Sequence, residues 1–476
     1  MRAKTYIFIF LILFLLGGLY YTLQPAKNGD AQPILPQPKV TQTITLWYTD
    51  AALGDYINSA ALTFYEQEGI RVNPVLKSGL EYIEEINAAS LRPSEEEPLP
   101  DLYIVGSDVL EKAAQAGLVR NPGDPENILN DFNFPSNAMD AVTYRGSACA
   151  YPFYFDTAFL LYNQTWLSQM AETSLRSELA GTAEETEAED DDAAIAMQDV
   201  AESAGVPEGL TEEEWQQMID ARTQELIPES IEDIMKLATD TAAPEGMENF
   251  FLWDVSDIYY NYFFTGAYMD VGGSYGDSPE ILDICNEDTV QCMTVYQGLH
   301  EFFSIESKES SYESVLQEFL EGKTLFTIAT TDALPMLKKM CDSGEFRYGY
   351  GVAELPGVDN EHIARGLSET SCIVINGYTE QAQSADLFAE YLMYDMTDTL
   401  YERSGKLPCI GSLAEDIHSA EDVVRRIYRD SVPLPKLLRL SNFWAELEQA
   451  YTRVWDGADP RTELEELDAQ MRSQLE

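Results

Sequence analysis

Basic residues are scarce in this chain. Twenty-nine Lys and Arg stand against 83 Asp and Glu in 476 residues, a formal net charge of -54. Gripping a phosphate backbone takes Lys and Arg, so this balance excludes a nucleic-acid partner. Histidine is rarer still: His300, His362 and His418 are far apart in sequence, a poor start for a zinc site or a His-based triad. The six cysteines are scattered, with no CxxC and no metal spacing. Cys285 and Cys292 are the one close pair, open either to a local bridge or to the commoner state of buried free thiols. The sequence contains no GxSxG, no HExxH, no Walker loop, and no GxGxxG after a strand. No cofactor, metal or activated nucleophile is expected. Paired carboxylates for glycoside chemistry remain open, because acidic residues are abundant and their separation in space is not readable.

What is present is a globular composition, 45% apolar and 11% aromatic, in a chain too long for one core. Residues 5–23 form an apolar run broken only by Gly17 and Gly18, behind Arg2 and Lys4. A basic flank before about twenty apolar residues reads as an export signal. No A-x-A site follows and no cysteine precedes Cys149, so an uncleaved membrane anchor is expected, with a cleaved signal as the alternative. Residues 24–42 carry Pro25, Pro33, Pro36 and Pro38 and read as a stiff extended tether.

From residue 42 the pattern is β/α. ITLWYTD, IRVNPVL and LYIVGSD are strands, each followed by helical spacing, which predicts a parallel sheet with helices on both faces. Ligands in such sheets sit beyond the carboxyl ends of the strands. Those ends are Asp50 and Asp108, which serve either as ligand contacts or as helix caps. The stretch CAYPFYFDTAFLLYN, residues 149–163, holds two strand-like runs joined at the single carboxylate Asp156. An isolated charge in an apolar run must be paired or face water. Two readings fit: a crossing between two sheets with Asp156 in the gap, or one long buried strand with a satisfied Asp.

Residues 170–228 interrupt the alternation with the like-charge block EETEAEDDD, a solvated insertion whose second half is predicted helical from the capping box Thr211–Glu214. Residues 250–269, FFLWDVSDIYYNYFFTGAYM, are the most aromatic segment and read as core at helical spacing, with Trp253, Asp254 and Ser256 able to face a cleft. KTLFTIATTD is a strand ending in Thr330, Thr331 and Asp332, so a second α/β unit is expected, and residues 441–474 read as helix carrying Trp444.

Taken in order, TLWYTD, PDLYIVGSD with EKAAQAGLV, AYPFYFDTAFLLYN, FLEGKTLFTIATTD, YGVAELPG, GLSETSCIVI and LSNFW resemble the family 1 extracellular solute-binding proteins of ABC importers, the group typified by maltodextrin-binding protein. The series covers nearly all of the exported part. The resemblance implies an α/β, type II periplasmic-binding-protein-like fold of two lobes with crossing strands, preceded by an N-terminal membrane helix. Its lobes would be residues 43–155 plus 357–402 and residues 156–356 plus 403–476, closing on a ligand like a hinge. It further implies a monomer outside the cytoplasm, tethered at the cell surface (or secreted if cleaved), that passes a small solute, most simply a carbohydrate, to the transmembrane subunits of an ABC permease. The implied ligand contacts are Asp50, Asp108, Asp156, Asp254, Ser256, Thr331, Asp332 and Trp444, the last by stacking on a sugar ring. Two departures count against maltodextrin itself: Asp332 and Val105 stand where maltodextrin binders carry aromatics, with Tyr48, Trp253 or Tyr259 as candidate replacements. Three rivals stay open: the same fold taking a cation such as a polyamine, a secreted carbohydrate-active enzyme, and a ligand-free sensor or adaptor subunit.

Overall fold

Along β1 (Gln42–Tyr48), Ile44, Leu46 and Tyr48 alternate with Trp47, and all four are buried. A strand repeats every two residues, so this alternation supplies an apolar residue to both faces of a sheet. The alternation continues through α1 (Gly54–Glu68), β2 (Ile70–Leu76), α2 (Tyr82–Leu91), β3 (Leu102–Gly106) and α3 (Leu110–Gln115), with α1 on one face and α2 and α3 on the other. One core holds Ile44, Leu46, Ile57, Phe64 and Phe388; the other, across the sheet, holds Trp47, Ile86, Tyr103 and Leu110. The computed structural model describes residues 42–94, 97–186, 205–307, 310–411 and 419–476. The expected membrane segment, the tether up to residue 41 and most of the acidic block lie outside them. Among the described residues no helix is long and apolar enough to cross a membrane.

The chain then enters β4 (Tyr151–Asn163), α4 (Gln164–Thr186), α5 (Glu212–Glu225) and α6 (Ile231–Asp240). It continues through β5 (Asn249–Phe251), α7 (Glu287–Phe303), α8 (Tyr312–Leu320), β6 (Thr324–Thr330), α9 (Ala333–Ser343) and β7 (Tyr350–Ala353). The remaining elements are β8 (Leu367–Asn376), α10 (Ala382–Glu390), α11 (Leu400–Ser404), β9 (Leu407–Pro408), α12 (Ala420–Asp430), α13 (Phe443–Trp455) and α14 (Pro460–Leu475).

β4 organises the rest. The two strand-like runs of the sequence form one strand of 13 residues. From Tyr151 to Thr157 it pairs with β8, and from Ala158 onward with β6, both antiparallel, while β7 pairs with it from Leu160 to Asn163. The partner changes between Thr157 and Ala158, one residue after Asp156. Beyond this point Phe159 and Leu161 join Phe155 in one core, and Ala158, Leu160 and Tyr162 fill the other.

Three expectations are corrected. The sheet is mixed: β1 runs parallel to β2 and β3, but β8 is antiparallel to β3 and to β4. Local periodicity shows that a strand exists and leaves its direction to the long-range connection. The aromatic segment is β5 followed by two 3-10 turns, Ile258–Tyr260 and Tyr262–Phe264, rather than a helix. Its rings are packed in a core with Tyr296, Tyr451 and Trp455, and tertiary burial overrides a helical spacing. The tail is two helices, interrupted where Gly457 takes a φ of 104°.

The insertion carries more structure than a solvated loop. α4 runs directly from β4 and packs on α5 through Ala171, Leu175, Trp215 and Ile219, with Arg176 over the Trp215 ring at 5.1 Å. The Thr211–Glu214 capping box is present as predicted.

Candidate functional site

The carboxyl ends of β1 and β3, the middle of β4 and the end of β6 converge on a group of carboxylates. Asp50 follows β1; its Oδ1 accepts from the Ala52 N–H at 2.9 Å and caps the short turn Ala51–Leu53. Its other oxygen lies 3.2 Å from the Lys406 ammonium. Of the two roles the sequence offered, the cap is present, and the second oxygen is held in an ion pair with Lys406.

Lys406 is set in place by β9, whose Leu407 pairs with Phe155 beside Asp156. It lies 3.7 Å from Asp156 Oδ2 and 5.3 Å from the centre of the Tyr154 ring. Burial acts to lower its pKa, but Asp156 and Asp50 outweigh that and hold the ammonium charged above its ordinary range. The Thr331 hydroxyl donates to Asp156 Oδ1. Asp332 accepts from the Thr330 hydroxyl and, at 3.2 Å, from Tyr312, whose ring stacks on Tyr260 at 4.7 Å and 17°.

Directly across the ladder from Asp156 stands Glu369, on β8. Burial, with Asp108 and Asp156 adding to it and Lys406 opposing, pushes its carboxyl up to about 7. Asp108, in the turn after β3, is likewise raised by burial. Gly106 explains how two carboxylates approach here. A Cβ on it would meet Asp108 Oδ1 at 2.5 Å and Glu369 Oε1 at 3.2 Å. Tyr259 adjoins the same group: burial first, then Asp156 and Glu369, raise its phenol. The result is Asp50, Asp156, Asp332 and Glu369 around the Lys406 ammonium, with Asp108 between Glu369 and a second ammonium, Lys436, and Tyr154, Tyr259 and Tyr312 at the edge.

The other sequence-expected residues stand apart from this group. Asp254 Oδ1 accepts from the Ser256 N–H and hydroxyl at 2.8 and 2.6 Å, and Oδ2 accepts from the Tyr312 N–H at 2.9 Å. Asp254 and Ser256 thus anchor the start of α8, which carries Tyr312. Trp444 packs edge-on against Tyr262 at 5.5 Å. Trp253, a candidate replacement for a missing stacking ring, is fully buried, stacks on Phe251 and donates its indole N–H to Asn261; Tyr48 is also buried. Sequence reasoning missed Lys406 and Glu369. In a chain so short of cations, a Lys after the helix-closing Gly405 and before a β-bridge is a signal in principle; Glu369 is visible only through its pairing with Asp156.

The group has the makings of a binding site. Carboxylates and phenols accept and donate hydrogen bonds, and charged partners make the stronger ones. The buried thiols Cys149, Cys292, Cys372 and Cys409 are raised by burial, which leaves them poor nucleophiles. Cys285 and Cys292 are unbridged. Among the described residues, no three His, Cys, Asp or Glu side chains could hold a metal ion.

No family model matches the chain. Solved structures do. A cyclo/maltodextrin-binding protein complexed with maltotetraose aligns over 91% of this chain and 97% of its own, with TM-score 0.67 and 17% identity. The extracellular solute-binding protein from Staphylococcus aureus in complex with maltose aligns over 90% and 97%, with TM-score 0.66 and 16% identity. MalX from Streptococcus pneumoniae in complex with maltopentaose aligns over 90% and 99%, with TM-score 0.60 and 15% identity. Across nearly its whole length, the chain has the mixed α/β fold of the two-lobed maltose- and maltodextrin-binding proteins.

Proposed function

We propose that this protein is an extracytoplasmic solute-binding protein that captures a sugar or oligosaccharide and delivers it to the transmembrane subunits of an ABC permease, with no chemistry of its own. On this reading residues 43–155 plus 357–402 and residues 156–356 plus 403–476 are two lobes that close on the solute. Residues 1–23 hold the monomer at the outer face of the membrane, with residues 24–42 as tether. The observation that carries the reading is the position of Asp156, one residue before β4 changes partners, with Asp50 and Asp332 from neighbouring strand ends around Lys406. A sugar hydroxyl donates a charge-assisted hydrogen bond to such carboxylates, and Tyr312 or Tyr154 offers a ring to the sugar's C–H face. Asp108 and Thr331 complete the polar lining; Asp254 and Ser256 act through Tyr312.

A bound solute stabilises the folded chain by mass action. Thermal-shift titration with mono- and oligosaccharides is expected to raise Tm, and Asp156→Ala is expected to abolish the shift. A sugar-induced shift that Asp156→Ala and Lys406→Met both leave intact would place the solute elsewhere. A second reading is favoured by the charge count, five carboxylates to the two ammonium groups of Lys406 and Lys436: a cationic solute such as a polyamine. Binding that weakens steeply with salt would select it over a neutral sugar.

A further inference from the structure

A cavity of about 340 Å³, a size that suits a small molecule, shares no lining residue with the strand-end group. The short helix Ser136–Val142, residues 262–274, Arg365 just before β8, and the end of α12 supply its walls. Two guanidinium groups, Arg365 and Arg429, and two carboxylates, Asp140 and Asp270, line it. That is a local balance of charge in a chain with 83 acidic residues to 29 basic ones.

Tyr262 is the informative residue. It is only 2% exposed, and it lines the cavity. Its hydroxyl has no hydrogen-bond partner among the described residues, yet it is not sealed from solvent, so it opens into the cavity. A buried phenol ordinarily finds a partner. Burial raises the Tyr262 phenol; Asp270 adds to this and Arg365 opposes it, so charges of both signs reach one hydroxyl. Gly266 permits the approach, because a Cβ there would collide with the Arg365 carbonyl oxygen and the Tyr262 ring. The Arg365 guanidinium donates through Nε to the Asp430 carbonyl at 2.7 Å and has no ion pair among the described residues. Arg429, by contrast, is matched by Asp430 in a fork at 3.1 and 2.9 Å. Asp270 accepts from the Gly273 N–H at 2.9 Å and has no ion pair among the described residues either.

We propose that the cavity is a second binding site, for a small zwitterion of the amino-acid class. The ligand's carboxylate would accept from the free Arg365 guanidinium nitrogens and from the Tyr262 hydroxyl, and its ammonium would donate to Asp270. A guanidinium matches a carboxylate in geometry as well as charge. A lone anion would also face Asp270, and a lone cation would also face Arg365, so a ligand with both charges fits where either alone does not.

The test is calorimetric titration of the full chain with each standard L-amino acid in turn at neutral pH. The expected result is saturable binding of at least one. For that amino acid, the N-acetyl derivative and the methyl ester, each lacking one charge, are expected to bind tenfold or more weaker. Arg365→Met is expected to weaken binding tenfold or more, and Tyr262→Phe several-fold. Asp156→Asn, which alters the strand-end site, is expected to leave it unchanged, so the outcome is independent of the proposed solute. Tyr262→Phe removes only a hydroxyl that no protein group holds, so it tests the site even if Arg365→Met does not fold. Failure of every amino acid to bind, equal binding of either derivative, full binding in Tyr262→Phe, or loss in Asp156→Asn would each overturn the proposal.

Discussion

Glu369→Gln removes a charge from the most crowded point of the acidic group while keeping the side chain's shape. The Glu369 carboxyl titrates at about 7 in the folded chain against an ordinary 4.5. Each pH unit of such a difference is worth about 1.4 kcal/mol, so ionised Glu369 costs the folded state roughly 3 kcal/mol. The sign follows from proton linkage. A carboxyl raised by folding leaves stability intact below its ordinary range, and stability is lost as pH rises through about 7. Glutamine has no such penalty. Melting of both proteins near pH 4 is therefore expected to coincide, while near pH 8 the variant should melt higher, by about 3 °C for a chain of this size. A gain of equal size at both pH values, or a loss near pH 8, would refute the account of Glu369 as a carboxylate whose burial beside Asp108 and Asp156 outweighs the nearby Lys406.

Lys406→Met leaves Asp50 and Asp156 without their ammonium; a loss of about 2 kcal/mol by chemical denaturation is expected, less than for a fully buried pair because Lys406 is partly solvated. Gly106→Ala drives a methyl group into Asp108 and toward Glu369, with an expected cost of about 1–3 kcal/mol and weaker solute binding in a titration. Asp254→Ala strips the acceptor from the Tyr312 N–H and the Ser256 hydroxyl; it is expected to lower stability by about 1–2 kcal/mol with little change in affinity, and a larger loss of affinity than of stability would give Asp254 a direct ligand contact.

How much of this was legible beforehand depends on the range of the interaction concerned. Strand-and-helix alternation located β1, β2, β3 and β6 within a residue or two, because burial period is a local property. The cost of a lone charge in an apolar run left two readings of Asp156 open, a crossing between two sheets or one long strand with a satisfied carboxylate; the chain makes one continuous strand, with Asp156 held by Thr331 and Lys406. Strand direction was not legible, since β8 reaches β3 across more than half the chain. Neither was Glu369, whose importance exists only through pairing with Asp156. The aromatic segment misled for a related reason: rings that pack from several directions do not need helical spacing, and Phe251 and Trp253 stack from an extended strand end. Asp254 and Asp50 illustrate a third limit. Sequence identifies a carboxylate beside a turn, but only coordinates show which partner each of its oxygens takes.

The unbroken run of β4 has a mechanical consequence. One backbone holds hydrogen-bonded neighbours on β8 up to Thr157 and on β6 from Ala158, so rotation about that junction sacrifices few ladder bonds. On the two-lobed reading proposed above, Asp156 would sit at the pivot and its carboxylate would keep its place while the flanking walls swing, a fixed reference point against which a captured molecule is gauged. β4 also passes without interruption into α4, so a swing of its far half is carried to the surface as the tilt of a long rod.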